Sequence, residues 1–395
     1  MTTRAGATVQ EESGRLADRL ITGTLTWAYP PALVDEMVAA AGRTEQRVRA
    51  LPARTMVYHA LAMWLYPAYG HEEVMRRLLR GLARKHAWAR DRRTPTPSAL
   101  AQARRRLGPV PLRLLFQEVA RRSVPEPTPG RRRTVALDTL ALSVPDTPAN
   151  RRHFGTAPVP GRGRTPRALV ATLAHCGTRQ VIDAAVGTLP LGAPALALDL
   201  LPSLTSLGSG TLLLGRLDTL SVDLWRQASA TPAELLWRAG PEWSLPVDSA
   251  LPDGSYLSRL SEPHGPSGAA PLRVRVVPVA PNRPGGADRL VTTLLGPEEA
   301  AAEQLRLAHH DRWGPADLLE DIVPGGLPGA DMLRSRGPDL VEQEIWAMFL
   351  VHHAVRDMLA DTQELERPPG QGTVAPPRRP GPKWSGPLVG PPRSC

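Results

Sequence analysis

Apolar positions recur every three or four residues through the first third of the chain and alternate with polar ones through much of the rest. Leu33, Val34, Met37, Val38 and Ala41 share one face of a helix opening at Pro31, with Gly42 placed to end it. A second helix is predicted from Arg54 to Leu65, with Val57, Leu61, Trp64 and Leu65 inward. A third, from Glu72 to Arg84, buries Val74, Leu78, Leu79 and Leu82 and turns Arg76, Arg77, Arg80 and Arg84 outward. Two short helices follow, Pro97 to Leu107 and Pro111 to Arg122, separated by a stop at Gly108. Their spacing is that of a helix-turn-helix, and equally that of a plain packing unit.

Pro125 to Gly130, PEPTPG, reads as a linker, and beyond it the period changes. Thr134 to Val144 is a strand apolar enough to be buried on both faces. Arg167 to His175 and Arg179 to Val186 form a hairpin about Cys176-Gly177-Thr178, predicted to flank that strand in a mixed sheet. Leu196 to Leu207 reads as helix, Thr211 to Leu214 as a short buried strand, Ser221 to Ala228 as helix and Glu234 to Arg238 as strand. Three extended segments, SYLSRL, LRVRVVPV and RLVTTLL, lie between Ser244 and Leu295. Glu298 to Asp311 and Pro338 to Ala360 are predicted helices. The expected architecture is α/β (α+β): a helical domain over residues 15–124, then a mixed-sheet core over 131–365 with a β-rich stretch at about 240–295. Residues 1–14 and the Pro-rich, basic stretch 366–395 carry no periodicity and are expected to be disordered tails.

Composition narrows the partners. The formal charge is +10, mostly from arginine, which suits a polyanion such as DNA, although a GC-rich coding sequence enriches arginine too. No apolar run approaches the roughly 18 residues of a membrane span, and the first residues lack a signal peptide's apolar core, so the cytoplasm is the expected location. Cys176 and Cys395 are too few for a disulfide framework or a cysteine zinc site. The pairs His309-His310 and His352-His353 point their neighbours in different directions on a helix, a poor arrangement for one shared metal.

Inside the apolar run Thr134 to Val144 sits one carboxylate, Asp138. An unpaired buried carboxylate costs several kcal/mol, in order-of-magnitude terms, unless a cation or hydrogen bonds compensate. A backbone amide at a strand end would serve, and so would a metal ion.

The stretch VALDTLALSVPDTPANRRHFG, followed by ATLAHCGTRQVIDAAVG, resembles the first catalytic strand of DDE transposases of the insertion-element-four family. The resemblance runs from about Arg15 to Leu359. It implies an RNase H-like fold in which Asp138 is the first of three carboxylates holding two divalent metals, Mg²⁺ or Mn²⁺. It implies too that the β-rich stretch at about 240–295 is an insertion. It also implies double-stranded DNA at insertion-sequence ends as the partner, with a homo-oligomer or a mixed oligomer with active transposase as the alternative assemblies.

The other two carboxylates depart from that pattern. The family's second Asp lies in a stretch read as Ala-Asp-Arg-Gly-Phe; the matching LLLGRLDTLSVDLW, anchored on Ser221, Asp223, Leu224 and Trp225, puts Arg216 there. Asp218 is two residues on, about 6–7 Å of extended chain. The third belongs to a helix patterned Tyr, Arg, Glu, Lys, onto which His309, Arg312, Ala316 and Val323 fall, so only Arg312 keeps the family residue. Asp317 is adjacent to the Glu position, but one helical step turns a side chain by ~100°; Glu320 is about a turn further along. With one ligand of three retained, the expectation is a transposase-like DNA-binding protein without strand cleavage and with no bound metal. Its rivals are an active enzyme using Asp218 with Asp317 or Glu320, and an inhibitory partner in mixed oligomers with active transposases. Arg216 is expected to pair with Asp138. Candidate DNA contacts are Arg104, Arg105, Arg106, Arg131, Arg132, Arg133, Arg151 and Arg152.

Overall fold

A computed structural model of the chain describes residues 21–47, 51–82, 95–125, 130–159, 163–261, 271–279, 288–312 and 333–365, the last five as backbone alone. The expected tails and the segment carrying Ala316, Asp317, Glu320 and Val323 lie outside the described residues. The chain divides into two units, residues 1–356 and 357–395, and of the second only helical residues 357–365 are described.

After a helical stretch at 21–28 come α1 (Pro31–Ala40), α2 (Ala53–Leu65), α3 (His71–Leu82), α4 (Pro97–Leu107) and α5 (Val110–Ser123). The Thr96 hydroxyl caps α4 by accepting from Ala99 N at 3.3 Å. Gly108 ends it at φ +67°, a left-handed backbone that a side chain would strain.

The sheet strands are β1 (Arg133–Ser143), β2 (Thr156–Val159), β3 (Gly163–His175), β4 (Gln180–Thr188), β5 (Thr211–Gly215), β6 (Glu234–Ala239), β7 (Ser249–Ala250), β8 (Tyr256–Leu260), β9 (Leu272–Pro278) and β10 (Arg289–Thr292). Helix α6 (Pro148–Phe154) follows β1, α7 (Ala193–Leu198) and α8 (Leu201–Leu207) link β4 to β5, and α9 (Val222–Ser229) links β5 to β6. Helix α10 (Ala302–His310) precedes the site segment, and α11 (Pro338–Leu365) closes the described chain. The strand order is β2-β3-β1-β5-β6-β10-β9-β8-β7, with β4 on β3. Its core, β4-β3-β1-β5-β6, is antiparallel across β4, β3 and β1 and parallel across β1, β5 and β6. This is the mixed sheet with helices that the sequence predicts.

One expectation is corrected. The hairpin does not flank β1 on both sides. Strand β3 pairs with β1 in antiparallel fashion, β4 lies outside β3, and the other neighbour of β1 is β5. A two-ended ladder can take only one hairpin arm directly, and the helical crossover through α7 and α8 returns the chain to the free edge of β1. In the stretch expected to be β-rich, β10 pairs with β6, so β7 to β10 prolong the core sheet.

The sheet faces carry different layers. Leu142, Val144, Val170 and Val181 join one large core with α1 to α5 and with α11 through Val341, Ile345, Phe349 and Ala354. Val135 and Leu137 point the other way, into a core with Leu213, Leu235, Trp225 and Trp237. A third cluster, Leu212, Leu214, Leu236, Ala302 and Leu305, seats α10. The helices before Pro125 and the sheet after Gly130 thus share one apolar core.

Candidate functional site

Strand periodicity places the site. Along β1, residues 136, 138, 140 and 142 face one side, and on β5 residues 212 and 214, with 216 just past its end, face the same side, because Ala136 is opposite Leu214 in the parallel register. That is the side carrying α11 and α10, whose apolar clusters leave a seam between them. Asp138 opens into this seam with 2% of its side chain exposed. Arg216, the first residue past β5, enters from one flank, and Arg312, just past α10, enters from another.

The Asp138 carboxylate is shared by two guanidinium groups. Arg312 Nη2 donates to Oδ2. Arg216 Nε lies 3.3 Å from Oδ1, and Thr139 N donates to that same oxygen at 2.9 Å. Asp218 stands beside them on the 3-10 turn Leu217–Thr219. Its Oδ1 accepts from Arg216 Nε at 3.1 Å and its Oδ2 from the Thr139 hydroxyl at 3.0 Å. Burial pushes the Asp138 carboxyl above its ordinary carboxylate value, and the charges of Arg312 and Arg216 act against that rise. Half-buried His309 is held down to about 4, first by burial and then by the positive charges of Arg312 and Arg238.

A small shape device makes room for the turn. A Cβ on Gly215 would fall 1.9 Å from the Trp237 ring, so only glycine fits where β5 passes under that indole. Trp237 Nε1 in turn donates to Thr219 Oγ1 at 3.0 Å, tying the turn to β6.

Two divalent metals do not fit the described donor set. Both oxygens of Asp138 and both of Asp218 already accept hydrogen bonds or face a guanidinium. Among the described residues no three His, Cys, Asp or Glu side chains converge as a metal site would require. The sequence-predicted residues Asp138, Arg216, Asp218 and Arg312 are therefore brought together, as an ion-paired cluster. Two contributors are not legible in the sequence: Thr139, whose hydroxyl reaches Asp218 only because of the 3-10 turn, and the Gly215–Trp237 contact.

The candidate DNA-contacting arginines separate by burial. Arg104 is a correction: it is buried, donating to Gln343 Oε1 and Ser335 Oγ, each at 3.0 Å, and to the Leu340 carbonyl at 3.4 Å. Its charge serves the joint between α4 and α11. Arg133 is likewise buried against the Leu207 and Pro125 carbonyls, and Arg106 donates to the Leu51 carbonyl at 2.8 Å. Arg105, Arg131, Arg132, Arg151 and Arg152 are exposed, with Arg132 paired to Glu234 and Arg151 to Asp146. Among the described residues no helix is long and apolar enough to cross a membrane. His352 and His353 are buried in the core, His353 Nε2 lying 2.7 Å from the Val181 carbonyl.

Residues 20–117 match the family model described as insertion element 4 transposase N-terminal. Among curated proteins the chain is similar to Transposase InsG for insertion sequence element IS4 of Escherichia coli (strain K12). The two are 25% identical over 344 residues, covering 82% of this chain and 74% of that protein. Among solved structures it is similar to the piggyBac transposase in a cryo-EM synaptic complex with hairpin DNA. That likeness has a TM-score of 0.42 and 13% identity, covering 86% of this chain and 75% of the other.

Proposed function

For a chain that is a relative of the insertion element 4 transposases, the chemistry available turns on what holds Asp138, and we propose a transposase-derived DNA-binding protein that does not cleave strands. The observation that carries this reading is the double ion pair: Arg312 and Arg216 supply the positive charge beside a buried carboxylate. Strand cleavage through two metals needs carboxylates free to bridge the ions, which activate the attacking oxygen and stabilise the leaving one. A guanidinium neutralises charge but offers no open coordination position, so it cannot activate water.

DNA binding rests on different residues. The charge of +10 and the exposed arginines Arg105, Arg131 and Arg152 provide phosphate neutralisation without base readout. In this reading residues 15–124 present DNA-contacting helices, and the sheet serves as the platform that holds them.

The test is a paired assay on duplex DNA ending in the sequences that flank the gene, with Mg²⁺ or Mn²⁺ present. The expected outcome is a retarded complex with no nicked or transferred strand. Cleavage that disappears in Asp138→Ala would overturn the proposal and revive an active site completed by Asp218 with Asp317 or Glu320.

A further inference from the structure

The two guanidinium groups beside Asp138 are not equivalent. Arg312 turns a terminal nitrogen onto the carboxylate and is 15% exposed. Arg216 approaches with Nε alone, 3.3 Å from Asp138 Oδ1 and 3.1 Å from Asp218 Oδ1, and is 44% exposed. Its two terminal nitrogens have no partner among the described residues. The carboxylates thus fix the inner edge of the Arg216 plane and leave its outer edge, a two-nitrogen fork, facing solvent. That fork has the spacing to meet two oxygens of a phosphate side by side.

The surroundings leave the fork free to do so. Asp218 offers it little competition, because one oxygen is held by Arg216 Nε and the other by the Thr139 hydroxyl. Arg312 offsets the charge of Asp138, so an approaching anion meets two positive and two negative side chains, with Arg216 and Asp218 the exposed pair among them. The 3-10 turn fixes the backbone at 216, with Thr219 donating to the Arg216 carbonyl at 2.9 Å, and Trp237 clamps Thr219 in turn. An arginine held at its base loses less conformational freedom on binding than a loose surface arginine.

We propose that Arg216 makes a metal-independent contact to a backbone phosphate of duplex DNA, at the position where the family resemblance implied a metal-binding carboxylate. The contact neutralises charge and positions the duplex; no bond is made or broken. It rests on the DNA-binding reading above and adds a phosphate subsite to it.

The experiment measures affinity of the full chain for duplex DNA in EDTA across a salt series, for the unmodified protein, Arg216→Ala and Arg216→Gln. Arg226→Ala is the control, since Arg226 is exposed on α9, whose Leu224 and Trp225 pack on the opposite face of the sheet. Melting curves confirm that each variant is folded, and the glutamine variant keeps a polar side chain if the alanine one does not fold. The expected result is a several-fold loss of affinity in both Arg216 variants. The log–log salt slope should fall by about 0.9, as for one phosphate contact, with Arg226→Ala unchanged. Equal affinity and slope in the unmodified and Arg216 proteins would overturn the subsite and leave DNA binding standing. No binding by the unmodified protein would overturn both. A gain on adding Mg²⁺ that Asp138→Asn abolishes would show metal at the site and overturn the subsite alone.

Discussion

The Trp237 indole lies across Gly215 so closely that a Cβ there would fall 1.9 Å from its ring. The glycine immediately precedes Arg216, so the same packing that seats the indole sets how β5 ends and where the guanidinium emerges. Gly215→Ala should therefore cost about 1–3 kcal/mol or more, the range for overpacking a filled core. Trp237→Leu should cost stability by itself yet make Gly215→Ala nearly harmless. Denaturant titrations of the two single variants and the pair check this, and strictly additive losses would show that the indole is not the obstacle.

Asp138→Ala should lower stability by about 3–5 kcal/mol, because it leaves the mostly buried Arg312 without its carboxylate. Mn²⁺ should leave the melting temperature of the unmodified protein where it was, since a ligand stabilises only a fold that binds it. A rise in melting temperature with Mn²⁺ that Asp138→Ala removes would contradict the ion-paired site.

Restoring metal binding should need two changes together, Arg216→Asp and Ala316→Glu. Alone, Arg216→Asp sets a third carboxylate beside Asp138 and Asp218 with, among the described residues, Arg312 as the remaining cation, so it should destabilise the fold without binding two ions. Isothermal titration with Mn²⁺ on both single variants and the pair decides the matter; two-site binding in a single variant would count against it.

Arg104 should behave as a structural residue. Arg104→Ala strands the Gln343, Ser335 and Leu340 acceptors in the core, and a loss of at least about 2 kcal/mol is expected. DNA affinity measured well below the melting temperature should be unaffected. Arg105→Ala, at the exposed neighbouring position, should show the reverse, weaker binding with stability unchanged. A swap of these two outcomes in paired melting and binding measurements would return α4 to the helix-turn-helix reading with Arg104 outward.

Acid should loosen the helical part before carboxylates begin to protonate. Burial, with the nearby charge of Arg104, holds His59 down to about 3 and its stacked neighbour His71 down to about 4. Both lie below the roughly 6.5 of an unfolded histidine, so below that pH the unfolded chain binds more protons than the folded one. The stabilisation is full above pH 6.5 and is lost as pH falls from there toward 4. Melting temperatures should decline from pH 6.5 to 5, and His59→Gln should flatten that decline. A flat profile in the unmodified protein would mean the buried histidines are already charged.

The elements themselves were readable because each follows a local rule. The strand around Asp138, the stop at Gly108 and the short TLLL strand depend on period and on backbone chemistry close in sequence. The seam was readable in part: Asp138 and Arg216 declare a buried carboxylate and a cation, and their pairing follows from two adjacent strands. Arg312 was named by the resemblance, but its bond to Asp138 was not readable, since it depends on how α10 lies over β9, and LRVRVVP carries no sign of that. The reversal of Arg104 from surface to core has the same origin. Three consecutive arginines look alike in sequence, and only packing against Gln343 and Ser335, more than 200 positions away, decides which one turns inward.

That distant pairing bears on how the chain acquires its fold during synthesis. Helices α2, α4 and α5 emerge early, yet Trp64 Nε1 donates to the Glu344 carbonyl at 2.8 Å, and the Phe116 ring packs tilted against those of Trp346 and Phe349, with centroids 5.5 and 5.3 Å apart. Until α11 leaves the ribosome, the first helices carry an apolar face with nothing to cover it. A nascent chain of this kind waits through most of its own translation in an incomplete state, open to chaperones and to sticking. Ribosome-stalled fragments ending before residue 338 are therefore expected to be protease-sensitive, and the helical part should become resistant only once the last helix is out.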